Sequence, residues 1–274
     1  MNNYEKLEGM VAATFTPLDE NGDVNLSVID KYADWIASTP IKGVFVCGTT
    51  GEFSSLAIDE RKLILEKWLV SARKRFKVIA HVGSNCQRSA MELARHAAQV
   101  GADAIASIAP SFFKPGTVDE LVDFFAPICH SAAGLPFYYY NMPSITGVNL
   151  PVDKFLVEGK KKIPNLVGTK FTHNNLMEMG VCIELEQHRF EVLHGYDEIL
   201  ISGLAMGAVA GVGSTYNYIP NVYQAIFDSM KMNDLEMYRE QLAICDDRII
   251  DALVERNSIV EKIMAYKETY GMPI

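Results

Sequence analysis

A lysine near the end of an apolar strand is the residue in this sequence best suited to chemistry. The stretch Asn165-Leu-Val-Gly-Thr-Lys-Phe-Thr172 predicts a short buried strand that carries Lys170 near its far end. An amine in an apolar pocket gives up its proton more readily than one in water, and the neutral amine can attack a ketone to form a Schiff base. Taken alone, the stretch is more typical of a strand-end lysine whose ammonium reaches solvent.

Two hydroxyl groups between glycines follow the second predicted strand, in Gly48-Thr-Thr-Gly-Glu-Phe53. Backbone N–H groups of such a loop can converge on an anion, and Thr49 and Thr50 add donors, so the loop suits a carboxylate. An ordinary turn bounded by glycines explains the same residues.

Three tyrosines end the fifth predicted strand, in Tyr138-Tyr-Tyr-Asn-Met-Pro143. Strand alternation places Tyr138 and Tyr140 on one face and Tyr139 on the other. Tyr140 beside a lysine could relay protons, whereas Tyr139 is assigned to packing. Packing alone would also account for all three rings.

Two further loops, Gly195-Tyr-Asp-Glu198 and Gly211-Val-Gly-Ser-Thr215, follow the last two predicted strands. The carboxylates of Asp197 and Glu198 suit sugar hydroxyls or a metal, although acidic residues are also favoured at a helix N-terminus. Loops in these positions often bind phosphate, which two carboxylates would repel, so the sequence favours a neutral hydroxylated ligand.

Three histidines near strand ends, His81, His173 and His194, raise the alternative of a zinc-dependent aldolase. They include no closely spaced pair of ligands, and lone histidines usually have structural roles. The sequence therefore predicts no metal site.

Eight apolar segments that alternate with helical patterns would position these residues. Short strands separated by helices imply parallel pairing, and eight such units predict a (β/α)₈ TIM barrel, an α/β fold. An open doubly wound sheet is the alternative, but the first βα turn, Phe15–Glu20, has no G-x-G-x-x-G. We predict a single domain, with the barrel over residues 8–226 and a helical extension over 227–274. The segments predicted as strands are Met10–Phe15, Gly43–Cys47, Lys77–Val82, Ala102–Ile108, Pro136–Tyr140, the Lys170 strand, Glu191–His194 and Ala208–Val212.

Composition narrows the class of protein. The 274 residues are 49% hydrophobic with a formal net charge of −9, and no basic run is longer than the three residues of Lys160-Lys161-Lys162, so nucleic acid is not expected as a partner. We find no signal peptide and no apolar stretch near the ~20 residues that span a membrane. The five scattered cysteines suit reduced thiols in the cytoplasm.

Taken together, these motifs resemble the superfamily of N-acetylneuraminate lyases and dihydrodipicolinate synthases. The resemblance runs from Gly9 to about Tyr218 and rests on Gly48–Glu52, Tyr140–Pro143 and the Lys170 strand in that order. It implies class I aldolase chemistry on a (β/α)₈ barrel, in a homotetramer, with no metal or organic cofactor. By the same resemblance, Lys170 forms a Schiff base with pyruvate, Tyr140 relays protons, and Thr49 and Thr50 hold the pyruvate carboxylate.

The branch of the superfamily is indicated by Ile145, which stands where dihydrodipicolinate synthases carry an arginine. Sialic acid lyases have an apolar residue there, and they share the Gly-x-Asp-Glu and Gly-Ser-Thr-Tyr-Asn motifs found here at Gly195–Glu198 and Gly213–Asn217. The resemblance implies reversible cleavage of N-acetylneuraminate, a sialic acid, to N-acetylmannosamine and pyruvate. Expected contacts of the sugar are Gly195, Asp197, Glu198, Ser214 and the nearby Thr172.

Two departures from the family accompany this interpretation. Phe112 replaces a tyrosine that extends the proton relay across a subunit interface in many members, so the relay would use Tyr140, the threonines and water. The chain also stops earlier than is usual, which implies a missing end of the terminal helical region. Three alternatives stay open: an aldolase of 2-keto-3-deoxy sugar acids, a condensing enzyme like dihydrodipicolinate synthase, and a non-catalytic sugar-acid binding protein.

Overall fold

Eight parallel strands form a closed barrel in the computed structural model, which describes residues 6–132 and 134–232 and scattered positions between 244 and 265. Each strand pairs with the next in the chain, and β8 pairs with β1. This confirms the (β/α)₈ class and excludes the open doubly wound sheet. The strands are β1 Gly9–Ala13, β2 Gly43–Val46, β3 Lys77–His81, β4 Ala104–Ile108, β5 Phe137–Asn141, β6 Leu166–Phe171, β7 Glu191–His194 and β8 Ala210–Gly213.

Helices alternate with these strands along the chain. Those found among the described residues are α1 Val28–Ala37, α2 Ile58–Ala72, α3 Gln87–Val100, α4 Val118–Ser131, α5 Pro143–Thr146, α6 Val152–Lys162, α7 Leu176–Glu184, α8 Leu200–Ala205 and α9 Pro220–Met232. The predicted helix ending near Glu158 continues to Lys162, because the Lys160 ammonium donates to the carbonyls of Pro164 and Leu166, each at 2.7 Å, and secures the last turn.

Two predicted helix caps are wrong. The α1 cap position is Ser27, and the Asn25 amide oxygen instead accepts from the Ser27 N–H and hydroxyl, at 3.2 and 2.6 Å. The α2 cap position is Ala57, whose N–H donates to the Glu60 carboxylate at 2.7 Å, while Asp59 lies inside the first turn. In both helices a nearby polar side chain accepts a hydrogen bond from a backbone N–H group at the helix start. The helix therefore begins at a different residue from the predicted one.

The barrel interior is filled by alternate residues of the strands. Tyr138 and Tyr140 point inward, whereas the Tyr139 ring lies 4.6 Å from the Phe155 ring between β5 and α6, which confirms the predicted alternation. At the amino end of the barrel, the Tyr138 hydroxyl donates to the Glu191 carboxylate at 2.9 Å. Burial raises the pKa of that carboxyl group.

The chain divides into two compact units, Met1–Gln224 and Ala225–Ile274. Helices were predicted over Leu235–Leu253 and Ser258–Tyr270. The described positions between 244 and 265 are helical, and the rest of these segments lies outside the described residues. None of the helices in the described part of the chain combines the length and the apolar character needed to cross a bilayer.

Candidate active site

Lys170 lies inside the barrel, on β6, opposite Tyr140 of β5 and Leu193 of β7 in the strand register. The residue is only 4% exposed. Its Nζ lies 4.2 Å from the centroid of the Phe45 ring and 4.2 Å from that of the Tyr140 ring. An ammonium group is attracted to such ring faces. The amine is thus held against two aromatic faces, and the alternative in which it reaches solvent is wrong.

The Tyr140 hydroxyl joins β5 to the loop after β2. Its Oη lies 3.1 Å from Thr49 Oγ1, close enough for a hydrogen bond in which either group can donate. The hydroxyl also lies 3.1 Å from Met142 Sδ, which is itself 3.8 Å from Thr49 Oγ1. Lys170, Tyr140 and Thr49 are therefore brought together at the carboxyl end of the barrel, with Thr50 half-buried beside Thr49.

The loop that carries the threonines needs its glycines for close packing. A Cβ on Gly48 would lie 2.8 Å from the Phe45 ring, and one on Gly51 would lie 3.0 Å from the Thr14 carbonyl oxygen. Cys47, which precedes the loop, adopts a left-handed backbone with φ of 53°. The loop is therefore fitted tightly onto the ring that lies under the lysine amine.

A second cluster forms where β6, β7 and β8 end. Gly195 packs on Thr172 so closely that a Cβ would lie 2.0 Å from the threonine hydroxyl oxygen. That hydroxyl is buried and has no hydrogen-bond partner among the described residues. A buried hydroxyl without a partner is unusual in a folded protein and is suited to accept or donate to a ligand.

Asp197 is 7% exposed and holds the loop after β8 in place. Its Oδ2 accepts from the Thr215 N–H at 2.8 Å and from the Thr215 hydroxyl at 2.7 Å. Burial raises the pKa of Asp197, while the Thr215 hydrogen bonds and the charge of Lys170 act in the opposite direction. Glu198 is exposed and Ser214 is half-buried in the same two loops.

The three histidines do not assemble into a cluster. His81 lies inside the barrel against the Tyr140 ring, whereas His194 packs on Met179 of α7, with 3.4 Å between Nδ1 and Sδ. Burial lowers the pKa of both imidazoles. Within the described ranges, no group of three or more His, Cys, Asp or Glu side chains could hold a metal ion.

The sequence did not predict the contacts that three residues make at this site. Phe45 was treated only as part of a strand, Met142 as part of a motif, and His81 as a candidate metal ligand. Alternation along β2 could have placed the Phe45 ring inside the barrel, once the barrel itself was assumed. Contacts made by the other two depend on the path of neighbouring loops, which no local pattern reports.

A closed eight-stranded barrel that buries a lysine amine among aromatic rings defines a (β/α)₈ protein equipped for carbonyl chemistry. The chain belongs to the dihydrodipicolinate synthetase family, which it matches over residues 6–273. This confirms the resemblance drawn from its motifs.

Similar proteins of known sequence carry the name N-acetylneuraminate lyase. The protein from Homo sapiens is 41% identical over 254 residues, covering 92% of this chain and 79% of its own, and that from Gallus gallus is 44% identical over 243 residues, covering 88% and 79%. Among solved structures, N-acetylneuraminate lyase (sialic acid aldolase) from Aliivibrio salmonicida has a TM-score of 0.88 at 38% identity, covering 92% of this chain and 83% of its own. The lyase from Proteus mirabilis has a TM-score of 0.87 at 36% identity, covering 92% and 84%.

Proposed function

We propose that this protein is a class I aldolase that reversibly cleaves N-acetylneuraminate to N-acetylmannosamine and pyruvate. The observation that carries the proposal is the lysine amine of Lys170, buried against Phe45 and Tyr140, with the Tyr140 hydroxyl 3.1 Å from Thr49. The similarity to N-acetylneuraminate lyases over most of the chain supports the choice of substrate.

Lys170 supplies the nucleophile in this reaction. Its neutral amine attacks C2 of the open-chain substrate, water leaves, and the resulting cationic imine draws electrons from the C3–C4 bond. Tyr140 takes up the proton of the C4 hydroxyl and passes it towards Thr49 and the substrate carboxylate as that bond breaks. N-acetylmannosamine departs, the enamine is protonated at C3, and hydrolysis of the imine releases pyruvate and regenerates the amine.

The two clusters would bind different parts of the substrate. Thr49 and Thr50 hold the carboxylate beside the reacting carbon, since their loop lies next to the Tyr140 hydroxyl. The sugar tail lies over the ends of β6 to β8, where the buried Thr172 hydroxyl has no protein partner among the described residues. The remaining proposed contacts of the tail are Gly195, Asp197, Glu198 and Ser214.

A second candidate is a sister pyruvate-dependent aldolase that acts on a 2-keto-3-deoxy sugar acid, or a condensing enzyme like dihydrodipicolinate synthase. Ile145, 60% exposed, provides no positive charge after β5. However, the Lys114 ammonium lies so close to Gly147 that a Cβ there would be 2.5 Å from Nζ. Lys114 thus brings a cation close to Gly147, two residues after Ile145, which favours a trial with a dicarboxylate substrate beside the 2-keto-3-deoxy acids. Cleavage of a six-carbon keto-deoxy acid without cleavage of N-acetylneuraminate would replace the lyase assignment with this one.

We also propose a homotetramer in the cytoplasm. Phe112 and Phe113, which are 76% and 86% exposed, form an apolar pair beyond β4 that another subunit could cover. The exposed free thiol of Cys86 suits a reducing compartment. Light scattering on the purified protein tests the assembly, and a monomer at micromolar concentration would contradict it.

The decisive experiment is covalent trapping with pyruvate and borohydride, read by mass spectrometry. One reduced adduct per chain is expected, on Lys170, and Lys170→Arg should give none because a guanidinium stays protonated and cannot form the imine. An adduct on another lysine, or no adduct on the wild type, would refute the Schiff-base mechanism. A non-catalytic binding protein would bind a sugar acid without being trapped.

A further inference from the structure

His81 is a buried imidazole whose two ring nitrogens are both engaged. Nδ1 lies 2.8 Å from the Cys47 carbonyl oxygen, and Nε2 lies 3.3 Å from the Ile108 backbone nitrogen. The Ile108 N–H can only donate, so Nε2 is the acceptor and the proton lies on Nδ1, which donates to Cys47. This neutral tautomer has no free nitrogen with which to act as a base.

The carbonyl that His81 holds belongs to a residue in an unusual conformation. Cys47 has φ of 53°, a left-handed backbone that residues other than glycine adopt only where the surroundings impose it. Cys47 lies between the end of β2 and Gly48, so its conformation sets the direction in which the chain leaves the strand. Two residues later, the chain presents Thr49, whose hydroxyl meets the Tyr140 phenol.

The imidazole also touches the rings that surround the lysine amine. Its centroid lies 5.8 Å from the Tyr140 ring in an edge arrangement, and 5.8 Å from the Phe45 ring. Phe53, at the far end of the threonine loop, lies 4.5 Å away, also edge-on. One side chain thus contacts β2, β5 and both ends of the loop that carries the threonines.

A buried arginine fixes the end of the strand that carries His81. Arg61 of α2 donates from Nη2 to the His81 carbonyl at 2.7 Å and from Nη1 to the Gly83 carbonyl at 2.9 Å. A Cβ on Gly83 would lie 2.6 Å from His81 Nε2, so the chain turns tightly over the imidazole. The ring therefore has little freedom to move away from Cys47.

We propose that His81 is a positioning residue that holds the Cys47 carbonyl and thereby places the Thr49 hydroxyl on the Tyr140 phenol. The inference rests on the proposed function only where it concerns turnover, because the placement itself is a property of the free protein. His81 acts through the loop and does not touch the reacting atoms.

Two amide substitutions separate the two nitrogens of the ring. In His81→Asn the amide occupies the place of Nδ1 and can still donate to Cys47, whereas in His81→Gln it occupies the place of Nε2 and can still accept from Ile108. Both variants lose the ring and gain the same amide. Because glutamine is longer than asparagine by one methylene, a role limited to packing would affect His81→Asn at least as much as His81→Gln.

The rate of borohydride trapping at subsaturating pyruvate should fall roughly tenfold in His81→Gln, which corresponds to the loss of one hydrogen bond worth about 1.4 kcal/mol. It should stay within about threefold of the wild type in His81→Asn, since that variant keeps the bond to Cys47. In crystal structures, Cys47 should leave the left-handed region, and Thr49 should lose its contact with Tyr140, in His81→Gln only.

Equal losses in the two variants, or an unmoved loop in His81→Gln, would overturn the proposal. Absence of trapping in the wild type would instead refute the proposed function, and the two crystal structures would still decide the placement. If neither variant folds, the comparison moves to a Cys47→Gly background, where the left-handed backbone costs little. There the two variants should trap pyruvate at rates within about threefold of each other, and a roughly tenfold deficit that persists in His81→Gln would contradict the role assigned to Cys47.

Discussion

Replacing Tyr140 with phenylalanine removes one hydroxyl group from the centre of the site and little else. The ring is buried and lies 4.2 Å from Lys170 Nζ, and both the burial and the ring contact survive the change. The hydroxyl's contacts are with Thr49 Oγ1 and Met142 Sδ, each at 3.1 Å. The substitution therefore tests proton relay with little disturbance of packing.

The effects on turnover and on stability should differ greatly in size. General acid–base catalysis contributes about 10²–10⁴-fold, so kcat should fall by that factor, equivalent to about 2.7–5.5 kcal/mol in the barrier. Loss of the hydrogen bond to Thr49 should cost about 0.5–1.5 kcal/mol of unfolding free energy. The lower end is expected, because Thr49 is exposed and its hydroxyl can pair with water instead.

The assay is steady-state cleavage of N-acetylneuraminate, with denaturant unfolding and pyruvate trapping measured on the same preparations. Trapping should survive in Tyr140→Phe, since Lys170 is unchanged. Thr49→Val is the matched control, because it removes the partner hydroxyl and leaves the phenol, and it should reduce kcat less. An unchanged kcat in Tyr140→Phe would show that the relay lies elsewhere and would refute this reasoning.

Three further outcomes are expected. Asp197→Ala should raise KM for N-acetylneuraminate and leave pyruvate trapping nearly intact. Thr215→Val removes one donor to the same carboxylate and controls for loosening of the loop. If trapping falls in Asp197→Ala by the same factor as KM rises, Asp197 has a structural role. Gly168→Ala should destabilise the barrel by about 1–3 kcal/mol in denaturant unfolding, because its Cβ would lie 1.9 Å from the Glu191 carbonyl oxygen. Gly116→Ala is the control and should be nearly neutral, because its Cβ would lie 3.6 Å from the flexible Glu120 carboxylate. Burial holds the pKa of His81 well below its usual 6.5, so the unfolded chain takes up a proton at a higher pH than the folded protein does. The stability that is present above pH 6.5 is therefore lost as the pH falls towards the folded pKa, by up to about 1.4 kcal/mol per pH unit. His81→Asn should flatten that slope in unfolding measured between pH 7 and pH 5, and an identical slope would contradict the buried neutral imidazole.

Much of the fold could be predicted because its signals are local. Apolar runs bounded by turns identify strands, and their alternation with amphipathic segments identifies the barrel. The helix starts at Ser27 and Ala57 were missed because the choice among neighbouring polar residues depends on how the preceding loop enters the helix. The added turn of α6 was missed for a similar reason, since Lys160 reaches carbonyls beyond the helix.

The site was less predictable than the fold, because its key contacts join distant parts of the chain. Alone, the sequence around Lys170 favoured a solvated amine, and only the closed barrel brings Phe45 and Tyr140 against it. The bond between Thr49 and Tyr140 spans 91 positions in the chain. The carboxylate of Asp197 was expected to face a sugar, yet one of its oxygens already serves the loop after β8.

The two sides of the barrel mouth, one around Lys170 and the other at the ends of β6 to β8, differ in the residues that form them. Aromatic rings surround Lys170 on one side and fix the amine in place. On the other side, the ends of β6 to β8 approach so closely that glycine is required: a Cβ on Gly195 would lie 2.0 Å from the Thr172 hydroxyl, and one on Gly213 would lie 1.7 Å from an Asp197 oxygen. The glycines let these strand ends pack directly on the two oxygens, which holds the Thr172 hydroxyl and the Asp197 carboxylate in place. The rings that hold Lys170 come from β2 and β5, so we expect substitutions on the glycine side to change the preferred substrate before they change Schiff-base formation.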